Sequence, residues 1–354
     1  MAGRENPASP LCHFPRREVP LPSPSQNTLA RDRGSHYIPR MRIPVLVLLA
    51  FTLVSSAFAE KRTWSSSDGK STFEGELMEF TASEVRIKRS ADFQTFKVPL
   101  DKLSEADQAY VKGLLREQAR DAGLKDGPLA KLVTGTFVRN TSEEGLNYQF
   151  YGNPRWKATE RYPLVIWLHG AGQSGSDNEA QMGGATKPFT EEANQEERPC
   201  FVLAPQCPDR AVGFRNEVAA NLMQVIRSLS DALPIDESRI YLTGSSMGGS
   251  GSWYLGTENP GVFAAIIPLC GGGDPSKAAA LKETPLWAFH GDKDEDVPLE
   301  RSTSMIEAIK AAGGSKAQIT ILEGEGHLIT SVVYAKPELH EWIFAQRLGD
   351  ARTP

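Results

Sequence analysis

The chain has 354 residues, a formal net charge of −5, 40% hydrophobic residues and 23% charged residues. This length leaves room for two domains, and the composition is ordinary for a globular protein. The first 40 residues hold six Arg against three acidic residues, so the rest of the chain is more acidic than the total suggests, which argues against nucleic acid as a partner.

The N-terminal 59 residues have the composition of a leader followed by a signal peptide. Residues 1–40 are rich in Pro, Ser and Arg, so we expect a disordered leader, or sequence upstream of a true start at Met41. Residues 43–54 carry no charge and precede the small-residue segment 55–59, which is the order of a secretory signal peptide over residues 41–59. The apolar run is shorter than the roughly 20 residues of a membrane-spanning helix. We therefore expect a secreted or periplasmic protein without a stable membrane anchor.

Residues 60–115 have the pattern of a small β module. Short β-type runs at 73–80, 84–88 and 93–98 are separated by turn residues. Ser104, with an acidic residue three positions later, predicts a helix start, and this helix is expected to run to about residue 122. A linker is expected over residues 123–133.

This module resembles the Sla1 homology domain 1 family. The resemblance is carried by Trp64, Asp68-Gly69, Gly75, Val85, Val98-Pro99-Leu100, Leu103-Ser104, Asp107 and Tyr110. It implies an SH3-like fold and a peptide or polymer ligand. The alternative is a structural appendage, since none of these residues chemically requires a ligand.

Residues 134–350 alternate between strands and helices. Residues 134–139 and 146–151 indicate a β-hairpin, and residues 163–168 form an apolar run typical of a strand covered on both faces. An apolar stripe predicts a helix over 216–233. Further strands are expected at 201–204, 264–269, 286–289 and 318–322, with helices at 299–312 and from Pro337 through Leu348. This alternation predicts a doubly wound, mainly parallel sheet. The short loop at 271–284 argues against a large cap domain.

Ser246 lies in the segment Gly-Ser-Ser-Met-Gly, between an apolar strand and a helix start. Glycines on both sides of so tight a turn avoid backbone clashes. Such a turn would expose the hydroxyl of Ser246, and the first helical turn would offer free N–H groups to an oxyanion.

A serine nucleophile needs a base, and His327 is the best candidate. His13 and His36 precede the signal peptide, whereas His169 and His290 each sit in a His-Gly at a strand end and are expected to support turns. His340 falls within the last helix and is expected at the surface. His327 follows the final strand on a Gly-rich loop.

The acid is expected within residues 292–296, which follow a strand and contain four carboxylates. We select Asp294, followed by Asp296 and Asp292, although spacing alone does not separate them. The acid would orient the imidazole and stabilise its protonated form.

The order Ser246, Asp294, His327 is that of the α/β-hydrolase fold. The segments LHGAGQSG, APQCP, GSSMGG, HGDKDEDVP and GEGH resemble the phospholipase/carboxylesterase family, near dienelactone hydrolases and feruloyl esterases. The resemblance implies Asp294 as the acid and an oxyanion hole formed by the N–H groups of Ala171 and Met247. One departure is that Leu328-Ile329-Thr330 follow His327, whereas related sequences often have an aromatic residue soon after this histidine.

The resemblance implies a serine carboxylesterase acting on a small-molecule or polysaccharide-linked ester. Gln206 and Trp253 are candidates for lining the substrate pocket, but equally could pack in the core. No cofactor or metal motif is present in the sequence, so none is expected. A prolyl oligopeptidase-like peptidase and a non-catalytic binding protein are the alternatives.

The cysteines indicate free thiols. Cys12 precedes the signal peptide, while Cys200, Cys207 and Cys270 lie in or after apolar runs. Buried free thiols are the commoner arrangement there, although an oxidising compartment would allow a Cys207–Cys270 disulfide.

Overall fold

The computed structural model describes residues 52–53, 61–124, 126–157, 159–183 and 185–349. The predicted leader at 1–40 lies outside these residues, and so does the predicted signal peptide at 41–59 apart from residues 52–53. In the described part of the chain, no helix combines the length and apolar character needed to cross a membrane.

A small antiparallel sheet precedes the large one. Its strands are β1 (Thr52–Leu53), β2 (Lys61–Ser65), β3 (Thr72–Phe80), β4 (Glu84–Arg89) and β5 (Thr95–Pro99). They run in the order β1-β3-β4-β5, with β2 also paired to β3. Helix α1 (Glu105–Gly123) follows a short 3-10 helix at Leu100–Lys102. The predicted strands 73–80, 84–88 and 93–98 correspond to β3, β4 and β5, whereas β2 was not predicted.

Asp107 of helix α1 binds the small sheet through hydrogen bonds, and its side chain is 3% exposed. Its carboxylate accepts hydrogen bonds from Arg62 (2.6 Å), the Ser65 N–H (2.8 Å) and the Ser104 hydroxyl (2.8 Å). The Asp107 N–H donates back to Ser104 Oγ, so the predicted N-cap is present. Trp64 is fully buried beneath this arrangement.

The large sheet has eight strands. These are β6 (Val138–Thr141), β7 (Asn147–Tyr151), β8 (Tyr162–Leu168), β9 (Phe201–Pro205), β10 (Ile235–Ser245), β11 (Ala265–Leu269), β12 (Leu286–Gly291) and β13 (Ala317–Leu322). Their order across the sheet is β13-β12-β11-β10-β8-β9-β7-β6. The hairpin β6–β7 is antiparallel and pairs antiparallel with β9; all remaining pairs are parallel. The predicted mainly parallel sheet is therefore observed.

Helices cover both faces of this sheet. They are α2 (Lys187–Thr190), α3 (Glu192–Glu197), α4 (Asn216–Ala232), α5 (Met247–Glu258), α6 (Glu300–Ala311), α7 (Thr330–Tyr334) and α8 (Pro337–Phe344). Along β8, Leu164 and Ile166 pack in the core that contains α4, whereas Val165 and Trp167 pack in the core that contains α8. Burial on both faces explains why this strand is apolar throughout.

Several predicted boundaries differ from the observed ones. Strand β6 begins at Val138 rather than at residue 134, and α8 ends at Phe344, so Leu348 lies beyond it. The short helices α2, α3 and α7 were not predicted. The prediction that His340 is at the surface was wrong, because α8 turns this side toward α2 and α7, where its ring packs against Phe189 and its Nε2 lies 2.9 Å from Tyr334 O.

Candidate active site

The turn between β10 and α5 holds Ser246 in a strained conformation. Its φ is 59° and its ψ is −115°, outside the regions that a serine normally adopts. A Cβ at Gly244 would lie 2.6 Å from Gly248 O, and a Cβ at Gly248 would lie 2.0 Å from Leu168 O. Both glycines are therefore required by close backbone contacts, which is the reason given for them from the sequence.

Ser246, His327 and Asp294 form one hydrogen-bonded line. The Nε2 atom of His327 lies 2.8 Å from Ser246 Oγ, and its Nδ1 atom lies 2.8 Å from Asp294 Oδ2. Because a carboxylate only accepts, Nδ1 carries the proton and Nε2 presents its lone pair to the serine hydroxyl. The three residues come from the ends of β10, β12 and β13, so the parallel sheet brings them to one edge.

Asp294 is the carboxylate that contacts His327 in this geometry, and its side chain is fully buried. Burial alone would raise the pKa of Asp294, but hydrogen bonds from the Val297 N–H, His327 and Cys270 outweigh it and hold this pKa below its ordinary value. The carboxylate is therefore ionised at neutral pH.

The two lower-ranked acids have other partners. Asp292 accepts the Gly324 N–H (2.7 Å), and so braces the loop that carries His327. Asp296 is exposed, and its N–H donates to Asp294 Oδ1 (3.0 Å). Neither side chain makes the contact to His327 Nδ1 that Asp294 makes.

Ala171 and Met247 each open a helical turn beside the nucleophile. Ala171 is the first residue of a 3-10 helix at Ala171–Gln173, and Met247 is the first residue of α5. The N–H groups at the start of a helix have no acceptor within that helix. A Cβ at the neighbouring Gly170 would lie 3.7 Å from Ser246 Cβ, so the two turns adjoin at the serine.

The loop that carries Ala171 is held by His169 and Gln206. His169 Nε2 accepts the Cys207 N–H (2.9 Å), which confirms that this histidine supports a turn. Gln206 accepts the Asn178 N–H (2.7 Å) and donates to Asp177 Oδ1 (2.7 Å). The sequence did not indicate this supporting role of Gln206, because it depends on a loop 28 residues earlier.

The two candidate pocket residues are both buried. Gln206 is 1% exposed, and Trp253, within α5, is 0% exposed and packs in the core beneath the sheet edge. Such burial does not favour contact with a substrate, and the substrate-binding role of both residues stays a prediction. Cys200, Cys207 and Cys270 are free and buried, in line with the expectation of free thiols.

An open cavity of about 710 Å³ adjoins the histidine loop. Leu328, directly after His327, is 87% exposed and lies on its wall together with Thr330. Its wall also includes Glu191, between α2 and α3, and Asn194 of α3. A cavity of this volume can hold a small organic ligand.

Two groups of side chains here are close enough to share a metal ion. They are Cys270, His290 and Asp294, and Asp294, Asp296 and His327. Both include Asp294, whose two oxygens already accept two backbone N–H groups and face two imidazoles. These hydrogen bonds account for the close approach of the groups without an ion.

Comparisons with known proteins find esterases among the proteins that this chain resembles. The phospholipase/carboxylesterase family model matches residues 200–336. A probable feruloyl esterase C from Aspergillus flavus is 25% identical over 191 residues, covering 53% of this chain and 68% of the fungal protein. Its counterpart from Aspergillus terreus is 26% identical over 153 residues, covering 42% of this chain and 55% of that protein.

A solved structure extends the comparison. The crystal structure of a thermostable esterase matches with a TM-score of 0.56 and 34% identity, over 60% of this chain and 63% of that one. The match thus spans slightly less than two thirds of the solved esterase. The strand order, the turn at Ser246 and these matches together show that the chain has an α/β-hydrolase fold, similar to that of the solved esterase.

Proposed function

We propose that this protein is a serine hydrolase that cleaves carboxylic esters. The observation that carries the proposal is the line from Ser246 Oγ through the ring of His327 to Asp294, with 2.8 Å at each contact. An ordinary serine hydroxyl is a weak nucleophile, and an imidazole at this distance activates it.

The reaction would proceed in two steps. Ser246 Oγ attacks the ester carbonyl while its proton moves to His327 Nε2, and the resulting oxyanion is held by the N–H groups of Ala171 and Met247. When the tetrahedral intermediate breaks down, the protonated Nε2 gives its proton to the departing alcohol. Water then attacks the acyl-serine with His327 as base, which releases the acid and restores Ser246. Asp294 keeps the imidazole oriented and stabilises its charged form.

The substrate would be a small-molecule or polysaccharide-linked ester. The fungal relatives are named as probable feruloyl esterases, which favours esters of aromatic acids. With a signal peptide at residues 41–59, the enzyme would meet these esters outside the cytoplasm, and the N-terminal module would bind a peptide or polymer there.

Kinetics of the purified protein test this proposal. We expect turnover of p-nitrophenyl acetate and of methyl ferulate, with far slower cleavage of peptide anilides. Ser246→Ala should reduce kcat by at least about 10⁴-fold, because the nucleophile is lost. Ser245→Ala is a matched control that keeps the adjacent nucleophile. Esterase activity of the Ser246→Ala variant near that of the unaltered protein would contradict the proposal.

A further inference from the structure

His290 is a buried imidazole in direct contact with the triad acid. It lies at the end of β12 and is 0% exposed. Its Nε2 atom is 3.1 Å from Asp294 Oδ2, the same oxygen that contacts His327. One carboxylate oxygen thus lies between two imidazoles, and the mechanism above uses only one of them.

Both ring nitrogens of His290 face acceptors. On one side, Nε2 is 2.9 Å from the carbonyl oxygen of Val297, in addition to the Asp294 carboxylate. On the other side, Nδ1 is 2.8 Å from Ser302 Oγ. The proton of that hydroxyl is directed to the carbonyl oxygen of Gly271, at 2.7 Å, so Oγ presents a lone pair to the ring. A neutral imidazole has one N–H, and would leave one nitrogen lone pair against an oxygen lone pair in a buried site.

His169 provides an internal comparison, because it occupies the same His-Gly position at the end of β8 and is equally buried. Its Nδ1 faces the Gly170 carbonyl (2.7 Å), but its Nε2 accepts the Cys207 N–H (2.9 Å). One acceptor and one donor fit a neutral ring, and burial lowers the pKa of His169 accordingly. The environment of His290 differs in having acceptors on both sides.

We propose that His290 is held as an imidazolium behind Asp294, where it acts as a positioning residue for the triad. Two N–H donors and a positive charge on the far side of the carboxylate keep Asp294 ionised and aligned with His327. The kinetic part of this inference rests on the proposed function. The protonation of His290 itself does not.

The other titratable groups around the pair leave this charge in place. Cys270 Sγ lies within 4.8 Å of the contacting atoms of His290 and Asp294, and burial raises the pKa of Cys270 to about 12, so it remains a neutral thiol. Asp296 is exposed and lies near His327. His327 and His290 contact the same carboxylate oxygen, so a charge on His290 opposes protonation of His327.

The protonation state is tested directly by nitrogen NMR of the unaltered protein labelled with ¹⁵N in the histidine rings. We expect His290 to show two protonated nitrogens at neutral pH, and His169 to show one protonated and one unprotonated nitrogen. Assignment uses His290→Gln and His169→Gln. A His290 ring with one unprotonated nitrogen at pH 7 would overturn the proposal, whether or not the protein has esterase activity.

The positioning role is tested by the pH dependence of kcat/KM on p-nitrophenyl acetate. The acid limb is the part of this profile in which kcat/KM falls as the pH decreases. In His290→Gln this limb should move to higher pH by about one unit, because a positive charge near His327 is lost. At a fixed pH on this limb, kcat/KM of the variant, expressed as a fraction of its own plateau value, is then about tenfold lower than that of the unaltered protein. His340→Gln, which removes a buried histidine from α8, should leave the limb unmoved.

Ser302→Ala offers a second variant that keeps His290 but removes the acceptor of its Nδ1–H. It should move the acid limb in the same direction by a smaller amount. An unmoved limb in His290→Gln, or an equal shift in His340→Gln, would contradict the positioning role. If the unaltered protein lacks esterase activity, the proposed function fails, and the NMR result still decides the charge of His290.

Discussion

At the scale of single residues, the chemistry depends on how Ser246 is presented. With this positive φ the hydroxyl of Ser246 lies 2.8 Å from His327 Nε2, and the turn at Gly170 adjoins the serine. A conformation of this kind costs on the order of 1–3 kcal/mol. The backbone hydrogen bond from the Ser246 N–H to Leu269 O (2.9 Å) helps to hold it.

The oxyanion role of Ala171 is open to a test that removes one backbone N–H. Gly170 is extended, with φ −78° and ψ 168°, and Ala171 opens a helical turn, so proline at 171 suits the local backbone. Ala171→Pro should therefore fold, yet kcat/KM for an ester should fall by about 10²–10³-fold. Ala171→Ser keeps the N–H and should retain most of the activity. A rate for Ala171→Pro equal to that of Ala171→Ser would remove Ala171 from the oxyanion hole.

Much of this residue-scale picture follows from chain order and spacing. Ser246, Asp294 and His327 each follow an apolar strand, and parallel strands end at one edge. The partners of ring nitrogens and side-chain amides do not follow from spacing. The partners of the His290 ring, which are Asp294, Val297 and Ser302, were not predicted. The spacing of four residues between His290 and Asp294 was compatible with their contact but did not require it. The burial of His340 depends on the rotation of α8, which its sequence did not determine.

At the scale of elements, the proposed active site depends on close contact between α5 and the strands of the large sheet. Gly248 lies so near the end of β8 that a methyl group there would overlap the Leu168 carbonyl. The small residues of this helix thus let its first turn approach the sheet edge. This approach brings the turn that opens α5 against the turn at Gly170.

Gly248→Ala should lower the free energy of unfolding by at least about 2 kcal/mol, because the added methyl meets backbone rather than a movable side chain. Esterase activity should fall as well, since the first turn of α5 would be displaced. Denaturant unfolding and ester kinetics measure the two effects. The matched control is Gly113→Ala in α1, where nothing lies within 4 Å of the added methyl. That change should stabilise the protein by about 0.5–1 kcal/mol, and a destabilisation of equal size in both variants would refute the steric account.

Element types were predicted well where apolar periodicity was strong, as in β8 and α4. Several short elements were not predicted from the sequence. Helices α2, α3 and α7 have four to six residues, too few for a helical stripe to show. Strand β2 begins with two charged residues and buries only Trp64, so it has no alternating apolar pattern from which to predict a strand.

At the scale of the whole molecule, the small sheet and the large sheet have separate cores. Their helices α1 and α4 lie against each other, and Arg116 pairs with Asp231 at 3.1 Å between exposed side chains. Exposed pairs contribute about 0–1 kcal/mol. The triad and its supporting contacts all lie on the large sheet, so the small sheet contributes no group to the proposed chemistry.

Asp107→Ala should destabilise the small sheet by about 3–5 kcal/mol, because it leaves Arg62 and two further donors without their shared acceptor. Limited proteolysis should then cut within residues 61–124 first. The kcat for p-nitrophenyl acetate, normalised to the amount of protein whose large sheet remains folded, should stay within about twofold of that of the unaltered protein. The control Arg116→Ala should behave in the same way. A parallel loss of esterase activity in Asp107→Ala would show that the triad depends on the small sheet.

The central claim is that Ser246 is a nucleophile activated by His327. Incubation with a fluorophosphonate, followed by peptide mass spectrometry, measures this most directly, because the reagent reacts only with an activated serine and marks the residue that attacks it. The account predicts a single adduct on Ser246, lost in Ser246→Ala and strongly slowed in His327→Gln. An adduct on another serine, or no adduct on correctly folded protein, would contradict it.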